Sequence, residues 1–574
     1  MITHPIERNH IQEVTAMAQF RQQVVYQIYP RSFCDSNGDG IGDLPGITGK
    51  LDYLKALGVD YLWLTPFFVS PQYDNGYDVA DYYNIDPRYG TMGDVERLIA
   101  EADRRGIGLM FDMVFNHVST DHEWFRKAIA GDPYYKDFFF FRKGKGEGCP
   151  PTNWASKFGG SAWQYVPEFD EYYLHLFDRS QADLNWENEN VRREIRSIVR
   201  FWMDKGVKGF RFDVINLVSK AAFEDDPKGD GRRFYTDGPK IHRYLRELNA
   251  TTFGTDARIV TVGEMSSTSM EECYWYAGHM AGALSMVFSF HHLKVDFAGD
   301  DEWVIVPPDF AKLKRVMFDW QTGMADHDAW NAVFWCNHDQ PRIVSRFGDD
   351  GRYWRQSATM LATIIHCLRG TPYVYQGEEL GMTNADFTRI DQFRDVESLN
   401  YHRILQDRGL NAKDAMRIVQ IHSHDNARTP MQWDGSRYAG FMDEPERGAR
   451  HAKPWIGVNA NHTVINVEKE NDDPDSILNY YRALIALRKK LDIIAYGDVE
   501  PLAPAHPSMF AYRRRHDGHE LIVAANLHGK DCMWEETPDL AGFERVLGNY
   551  PNQRVKAYAR RVLLRLYEAN VWSR

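Results

Sequence analysis

The chain lacks most of what marks a secreted, membrane-bound or nucleic-acid-binding protein. Its six cysteines (34, 149, 273, 336, 367 and 532) are scattered over 574 residues, with no CxxC and no paired spacing. That excludes a disulfide framework and a cysteine-built metal site, and it predicts reduced thiols in a cytoplasmic protein. No apolar run approaches the roughly 18 residues that a membrane span needs, so no membrane partner is expected. The opening stretch MITHPIERNHIQEV has no basic region followed by an apolar one, so no secretory signal is expected. Positive charge is in deficit: 68 Lys+Arg stand against 81 Asp+Glu, a net charge of -13. A nucleic-acid partner is therefore not expected, because its binding face is usually basic. An anionic ligand would need a local basic pocket working against the overall field. No repeat or low-complexity tract appears, which excludes a solenoid. Nothing in the sequence fixes an oligomeric state.

What is present is a large core. Hydrophobic residues make up 43% of the chain, and the mean hydropathy is -0.52, the balance of a globular protein. Aromatics reach 14%, with 16 Trp and 30 Tyr. Such richness suits sugar-stacking clefts, and it suits a large aromatic core equally well.

Eight short apolar runs read as strands: 24–30, 59–66, 108–117, 209–214, 258–265, 285–290, 332–339 and 371–379. Between several of them lie amphipathic patterns, such as GDVERLIAEADRRG (93–106) and VRREIRSIVRFWMDKG (191–206). Strand and helix alternating eight times predict an α/β fold, a parallel (β/α)8 TIM barrel rather than an open sheet. Two connections are too long for simple loops. Residues 118–187 read as an inserted subdomain after strand three. Residues 383 to about 463 read as a polar, irregular excursion after strand eight. From 497 the pattern becomes strand, Asp-Gly turn, strand, which predicts an antiparallel C-terminal β domain. The expected division is barrel 1–117, insertion 118–187, barrel 188–496 and β domain 497–574.

The expected strands end in polar residues, which is where a barrel carries its chemistry. Asp213, Glu264 and Asp339 stand out. Two carboxylates in different environments divide into a nucleophile and a proton donor. Arg211 lies two residues before Asp213, on the same face of a strand. Its guanidinium is expected to keep Asp213 ionised and low in pKa. Glu264 follows the apolar run IVTVG, where partial burial is expected to keep it protonated. His338, beside Asp339, is a candidate for holding substrate hydroxyls. Any one of these acids alone reads more simply as a loop residue or an ion-pair partner. Their shared placement is what points to a site.

The stretch DSNGDGIGD (35–43) places oxygen donors at alternate positions, with Gly40 sixth. A hard cation binds in such turns. An EF-hand would need a bidentate acid at the twelfth position, where this chain has Gly46. The preceding VVYQIYP reads as a strand rather than a helix. The pattern therefore argues against a calcium sensor, and a structural metal loop and an ion-free polar turn both stay open.

DMVFNH (112–117), GFRFDVINLVSK (209–220), TVGEMSS (261–267) and FWCNHDQ (334–340) resemble the four signature segments of the α-amylase superfamily, glycoside hydrolase family 13. QADLNWEN (181–188) and GTPYVYQGEELG (370–381) match further segments, in order, over essentially the whole chain. The resemblance implies a retaining glycosidase. In it Asp213 is the nucleophile, Glu264 the general acid/base and Asp339 the acid that holds the distorting sugar. His117, Arg211 and His338 are its sugar-binding and supporting residues. Within the superfamily, YDNGYDVADY (73–82) and DNARTPMQWD (425–434) resemble the oligo-1,6-glucosidase group. That likeness implies that Tyr77 stacks on the sugar while Asp74 and Arg428 clasp its non-reducing end, giving an exo-acting enzyme. Val214 matches members that do not favour α-1,4 links. In the same group a structural calcium loop follows the first strand. The resemblance thus implies Ca2+ held by Asp35, Asn37, Asp39, the carbonyl of Ile41, and Asp43.

The leaving-group side is expected to be basic. FSFHHLKVDF (288–297) carries His291 and Lys294, and GDGRRFYTDGPK (229–240) carries Arg232, Arg233 and Lys240. Basic groups there suit a phosphate, although they equally suit local ion pairs with acids such as Asp296. These segments, with VGEMSSTS and HDQPRIVSRFGDDG, resemble the group members that hydrolyse trehalose 6-phosphate to glucose and glucose 6-phosphate. The expected partner is therefore a phosphorylated disaccharide, with His291 and Lys294 as first contacts. The alternative is a neutral α-glucoside, handled by an oligo-1,6-glucosidase, a dextran glucosidase or a sucrose isomerase. A third class, a dead barrel serving as a transporter partner, would have lost its acids and gained a membrane span. This chain has all three acids and no span.

Overall fold

The computed structural model describes residues 20–146, 148–278, 283–443, 452–550, 557–558 and 560–574. Eight strands close into one barrel. They are β1 (Val25–Ile28), β2 (Tyr61–Leu64), β3 (Gly108–Val114), β4 (Gly209–Asp213), β5 (Val260–Glu264), β6 (Met286–Phe288), β7 (Asn331–Val333) and β8 (Thr371–Tyr375). Each neighbours the next in chain order, and β8 returns to β1. The expected runs each overlap one of these strands. Run seven is the shortest match: β7 stops at Val333, and 334–339 is loop. In that loop the Asn337 side chain accepts from the Asp339 amide at 2.8 Å, a local turn in place of a ladder bond.

The described residues form two contact-dense units. The first holds residues 63–278, 283–289 and 327–329. Here β4 pairs in parallel with β3, Arg211 opposite Asp112, and with β5, Arg211 opposite Val262. The helix α1 (Met92–Arg104) begins with a capping box between Thr91 and Asp94. It buries Val95, Leu98, Ile99 and Ala102, an i, i+3, i+4, i+7 stripe. The helix α2 (Glu189–Asp204) is capped by Asn188. After β3 the chain builds a small three-stranded antiparallel sheet, with Glu171–Leu174 central between Phe141–Arg142 and Trp163–Val166. An aromatic cluster joins this insertion to the end of β4. It contains Phe140, Trp154, Trp163, Tyr172, Phe234 and Tyr235, together with Val214 and Leu217.

The second unit holds residues 20–62, 290–326 and the described residues from 330 onward. In it β1 pairs in parallel with β8, and β7 with β8. The excursion after β8 is not irregular as expected. It carries α3 (Val396–Asp407) and α4 (Ala412–His422), capped by Asp395 and Asn411. Polar composition hid α3, which buries only Ser398 and Leu405, whereas α4 buries Ala415, Ile418, Val419 and His422. The C-terminal strands form an antiparallel five-stranded sheet and a three-stranded one. Met509–His516 and His519–Asn526 make the expected hairpin. Its turn residues Asp517 and Gly518 have φ of 46° and 79°, the left-handed pair that a two-residue hairpin needs.

Candidate active site

In the first unit, one guanidinium organises three carboxylates. Arg211 Nη1 donates to Asp112 Oδ1 and to Asp213 Oδ1, each at 2.7 Å. Its Nη2 donates to Glu264 Oε2. The β3–β4 register sets this up, since Asp112 lies directly opposite Arg211 and Asp213 lies two residues along. Asp112 Oδ2 accepts from the Trp63 indole at 3.1 Å and the Tyr77 hydroxyl at 3.0 Å. Both rings also lie against the guanidinium, Trp63 at 5.1 Å and Tyr77 at 5.8 Å.

The expectation of a low pKa for Asp213 fails. Burial pushes the carboxyl up, and the attraction of Arg211 does not offset it. Burial is the main cause, and Asp112, which shares the same cation, adds repulsion to it. The neighbouring Glu264 side chain lowers the Asp213 pKa in part, without offsetting the rise from burial.

The next residue, Val214, has φ of 34°. A β-branched residue is strained there, by about 1–3 kcal/mol. The aromatic cluster around it holds the strain, and its amide lies 3.4 Å from Glu264 Oε2. His117 is buried, which lowers its pKa to about 4 and keeps it neutral. Its Nε2 is 3.1 Å from the Tyr77 carbonyl. Gln181 reaches both that carbonyl, at 3.3 Å, and Asp74 Oδ2, at 2.8 Å.

The second unit places Asp339 among cations. Arg428 Nη2 donates to Asp339 Oδ1 at 2.6 Å, and His338 Nε2 lies 3.2 Å from Oδ2. Burial would raise the Asp339 pKa, but His338, Arg428 and His424 together hold it well below the usual carboxylate range. His338 is oriented by Gln27, whose amide is 2.8 Å from Nδ1, and it stacks on Tyr29. His424 sits 3.6 Å from Asp395, 3.7 Å from Glu397 and 3.8 Å from Asp339. Burial opposes its charge, but these acids raise its pKa to about 10.

The basic candidates separate into two groups. Arg232 pairs with Asp230 at 3.4 Å, Arg233 with Asp226 at 3.6 Å, and Lys240 with Glu187 at 2.7 Å. These are partly exposed local ion pairs, worth little individually. His291 and Lys294 lie half-buried at a short helix, His291–Leu293, with the His291 ring 5.1 Å from Trp320. Asp296 is taken by Arg346, through two contacts of 2.7 Å.

The loop 35–43 turns its oxygens onto its own backbone. Asp35 accepts from the amides of Asn37, Gly38 and Gly40, Asn37 from Asp39, and Asp39 from Ile41. Asp43 caps the following helix through the Gly46 amide at 2.6 Å. Gly40 has φ of 92°, and an added Cβ would lie 2.0 Å from the Lys453 carbonyl oxygen, so only glycine fits. Among the described residues, no three His, Cys, Asp or Glu side chains gather to hold a metal.

Sequence reasoning gave no role to Asp112, Trp63, Gln181, Gln27, Tyr29, His424 or Asp395. Asp112 had a signal, since it opens the quoted segment DMVFNH two turns of alternation before Asn116. The partners of His424 lie on other elements and had none.

A parallel barrel whose strand ends carry an Asp and a Glu joined by one buried arginine is the arrangement of a carbohydrate-cleaving barrel enzyme. The family description "Alpha amylase, catalytic domain" matches residues 27–497. The chain belongs to the α-amylase family of glycoside hydrolases. It is 49% identical to the trehalose-6-phosphate hydrolase of Bacillus subtilis (strain 168) over 558 residues, 96% of this chain and 98% of that protein. It is 45% identical to the oligo-1,6-glucosidase of Bacillus cereus over 564 residues, 96% and 99% of the two chains. The crystal structure of Bacillus licheniformis trehalose-6-phosphate hydrolase superposes with a TM-score of 0.91 at 48% identity, over 96% of this chain and 99% of that one. Among the described residues, no helix is long and apolar enough to cross a membrane.

Proposed function

We propose that the protein is a retaining, exo-acting α-glucosidase that hydrolyses trehalose 6-phosphate to glucose and glucose 6-phosphate. The near-full-length identity to a trehalose-6-phosphate hydrolase carries the substrate. The Asp213–Glu264 pair under Arg211 carries the chemistry.

Asp213 attacks the anomeric carbon as the glucosidic bond breaks, and Glu264 gives its proton to the departing oxygen of glucose 6-phosphate. Glu264 then takes a proton from water, which attacks the glucosyl–Asp213 ester and releases glucose with its anomeric configuration retained. Arg211 positions both acids, and its charge offsets part of their repulsion. Asp339, held ionised by His338, Arg428 and His424, accepts the sugar's hydroxyls as the oxocarbenium-like state forms. We assign neutral His117, whose Nε2 is held against the Tyr77 carbonyl, to the sugar-binding side. Tyr77 faces the sugar ring, and Asp74 and Arg428 bind its non-reducing end.

Trehalose 6-phosphate is expected to give a kcat/KM well above that of isomaltose. A preference for isomaltose would replace this reading with an oligo-1,6-glucosidase, the activity named for a relative at 45% identity. We place His291 and Lys294 at the phosphate. Lys294→Ala is expected to raise the KM for trehalose 6-phosphate by roughly tenfold, the worth of one charged hydrogen bond. An equal loss on isomaltose would remove Lys294 from the phosphate site.

For loop 35–43, donor chemistry supports calcium: carboxylate, amide and carbonyl oxygens from one turn suit a hard cation. Asp35, Asn37, Asp39, Ile41 and Asp43 would hold it, and the ion would pin the loop without entering the reaction. Chelation is then expected to lower Tm by several degrees, restored by added Ca2+, with little change in kcat. An unchanged Tm would mean that the backbone bonds alone hold the turn. The absence of disulfides among the six cysteines supports a cytoplasmic setting, which cell fractionation tests.

A further inference from the structure

The inserted segment brings a cation to Ser266, two residues beyond Glu264. Lys157 Nζ donates to Ser266 Oγ at 3.0 Å. Ser266 lies two residues beyond Glu264, just past the end of β5. Both backbone groups of Ser266 are clamped by the Asn216 side chain, each bond at 2.9 Å. Asn216 is itself fully buried, three residues after Asp213. The Lys157 stem is equally fixed at its base. Its amide donates to the Leu176 carbonyl at 2.8 Å, and the neighbouring Ser156 hydroxyl donates to the Phe177 carbonyl at 2.7 Å. The Phe158 ring packs on Phe177, and Phe177 packs on His117. Trp154, three residues earlier, belongs to the aromatic cluster that contains Val214.

We propose that Lys157 and Ser266 bind the phosphate of the leaving sugar and so set the preference for a phosphorylated substrate. The inference rests on the function proposed above. In that reaction the leaving group departs over Glu264, so groups just beyond Glu264 face it. A dianionic phosphate arriving there meets three carboxylates served by one arginine. Lys157 adds its charge to those of His291 and Lys294, placed at the phosphate above, in offsetting that repulsion. Lysine suits the task as a compact charge with three donors. Because Ser266 Oγ accepts from Lys157, its own proton remains to be donated to a phosphate oxygen. Anchoring through Asn216 and Leu176 means that little ordering is required when the anion binds.

The test uses full-length wild type, Lys157→Ala and Lys157→Arg, with trehalose 6-phosphate and p-nitrophenyl α-glucoside as substrates. Glucose 6-phosphate serves as a competitive inhibitor of p-nitrophenyl α-glucoside hydrolysis. In Lys157→Ala, the KM for trehalose 6-phosphate and the Ki of glucose 6-phosphate are both expected to rise roughly 10- to 100-fold, the loss of one or two charged hydrogen bonds. The kcat/KM ratio of the phosphorylated to the neutral substrate falls by the same factor, and Lys157→Arg recovers part of it. Equal losses on the two substrates, or an unchanged Ki, would overturn the assignment and leave Lys157 as a support for Ser266. If wild type does not prefer trehalose 6-phosphate, the proposed function fails instead. The Ki comparison still decides whether Lys157 binds phosphate.

Discussion

Asp213→Asn is expected to lower kcat/KM for trehalose 6-phosphate by roughly ten-thousand-fold or more, the scale of losing a covalent nucleophile. The amide nearly preserves the volume, and it still offers an oxygen to Arg211 Nη1, 2.7 Å away in the native enzyme. Thermal stability should therefore change far less than activity. Azide distinguishes the role from a merely structural one. In Asp213→Ala, which removes the side chain and opens its space, azide can attack the anomeric carbon from the vacated face and give the inverted β-glucosyl azide. Recovery of that product identifies Asp213 as the nucleophile, and an α-azide or no azide adduct at all would reject it. The raised pKa of Asp213 adds a pH signature. The nucleophile must be ionised, so kcat/KM should fall as pH drops through a value above the usual carboxylate range.

Glu264→Gln is expected to give the second-largest effect, but one that depends on the leaving group. Loss of general acid catalysis costs roughly a hundred- to ten-thousand-fold on trehalose 6-phosphate, whose departing alkoxide needs a proton. A dinitrophenyl glucoside leaves without one, so its first step should be slowed much less. Its second step loses the general base, and a glucosyl-enzyme should accumulate, visible as a burst of dinitrophenolate. Uniform losses across leaving groups would mean that Glu264 only positions Arg211, to which it is bonded.

The acids of the site were legible because each stands at or just past the end of a short apolar run, and such runs are local features of the chain. Barrel strands too short to show much alternation, such as the three residues of β6 and β7, were still found, since burial on both faces makes them continuously apolar. Partner identity was not legible. Arg211 at two residues from Asp213 can be read from a strand pattern. That the same guanidinium also holds Asp112 and Glu264 depends on the register of three strands, and burial of the cluster reverses the expected pKa of Asp213. His424 was missed for a similar reason. It precedes Asp425 in a polar stretch, and only folding brings it within 4 Å of Asp339, Asp395 and Glu397. Helix α3 was missed because it buries only Ser398 and Leu405, too few for a readable stripe, while the stripe of α4, Ala415, Ile418, Val419 and His422, went unread inside a polar segment.

The aromatic cluster that carries both Trp154 and Val214 has a consequence for how this enzyme can change. The segment that meets the departing sugar and the residue that follows the attacking carboxylate share one packed interior. Rebuilding the insertion for a different aglycone would therefore disturb the angle of attack on the glucose. Grafting 118–187 between relatives should succeed only when 214–235 travels with it, so that selectivity and turnover are inherited as a single block.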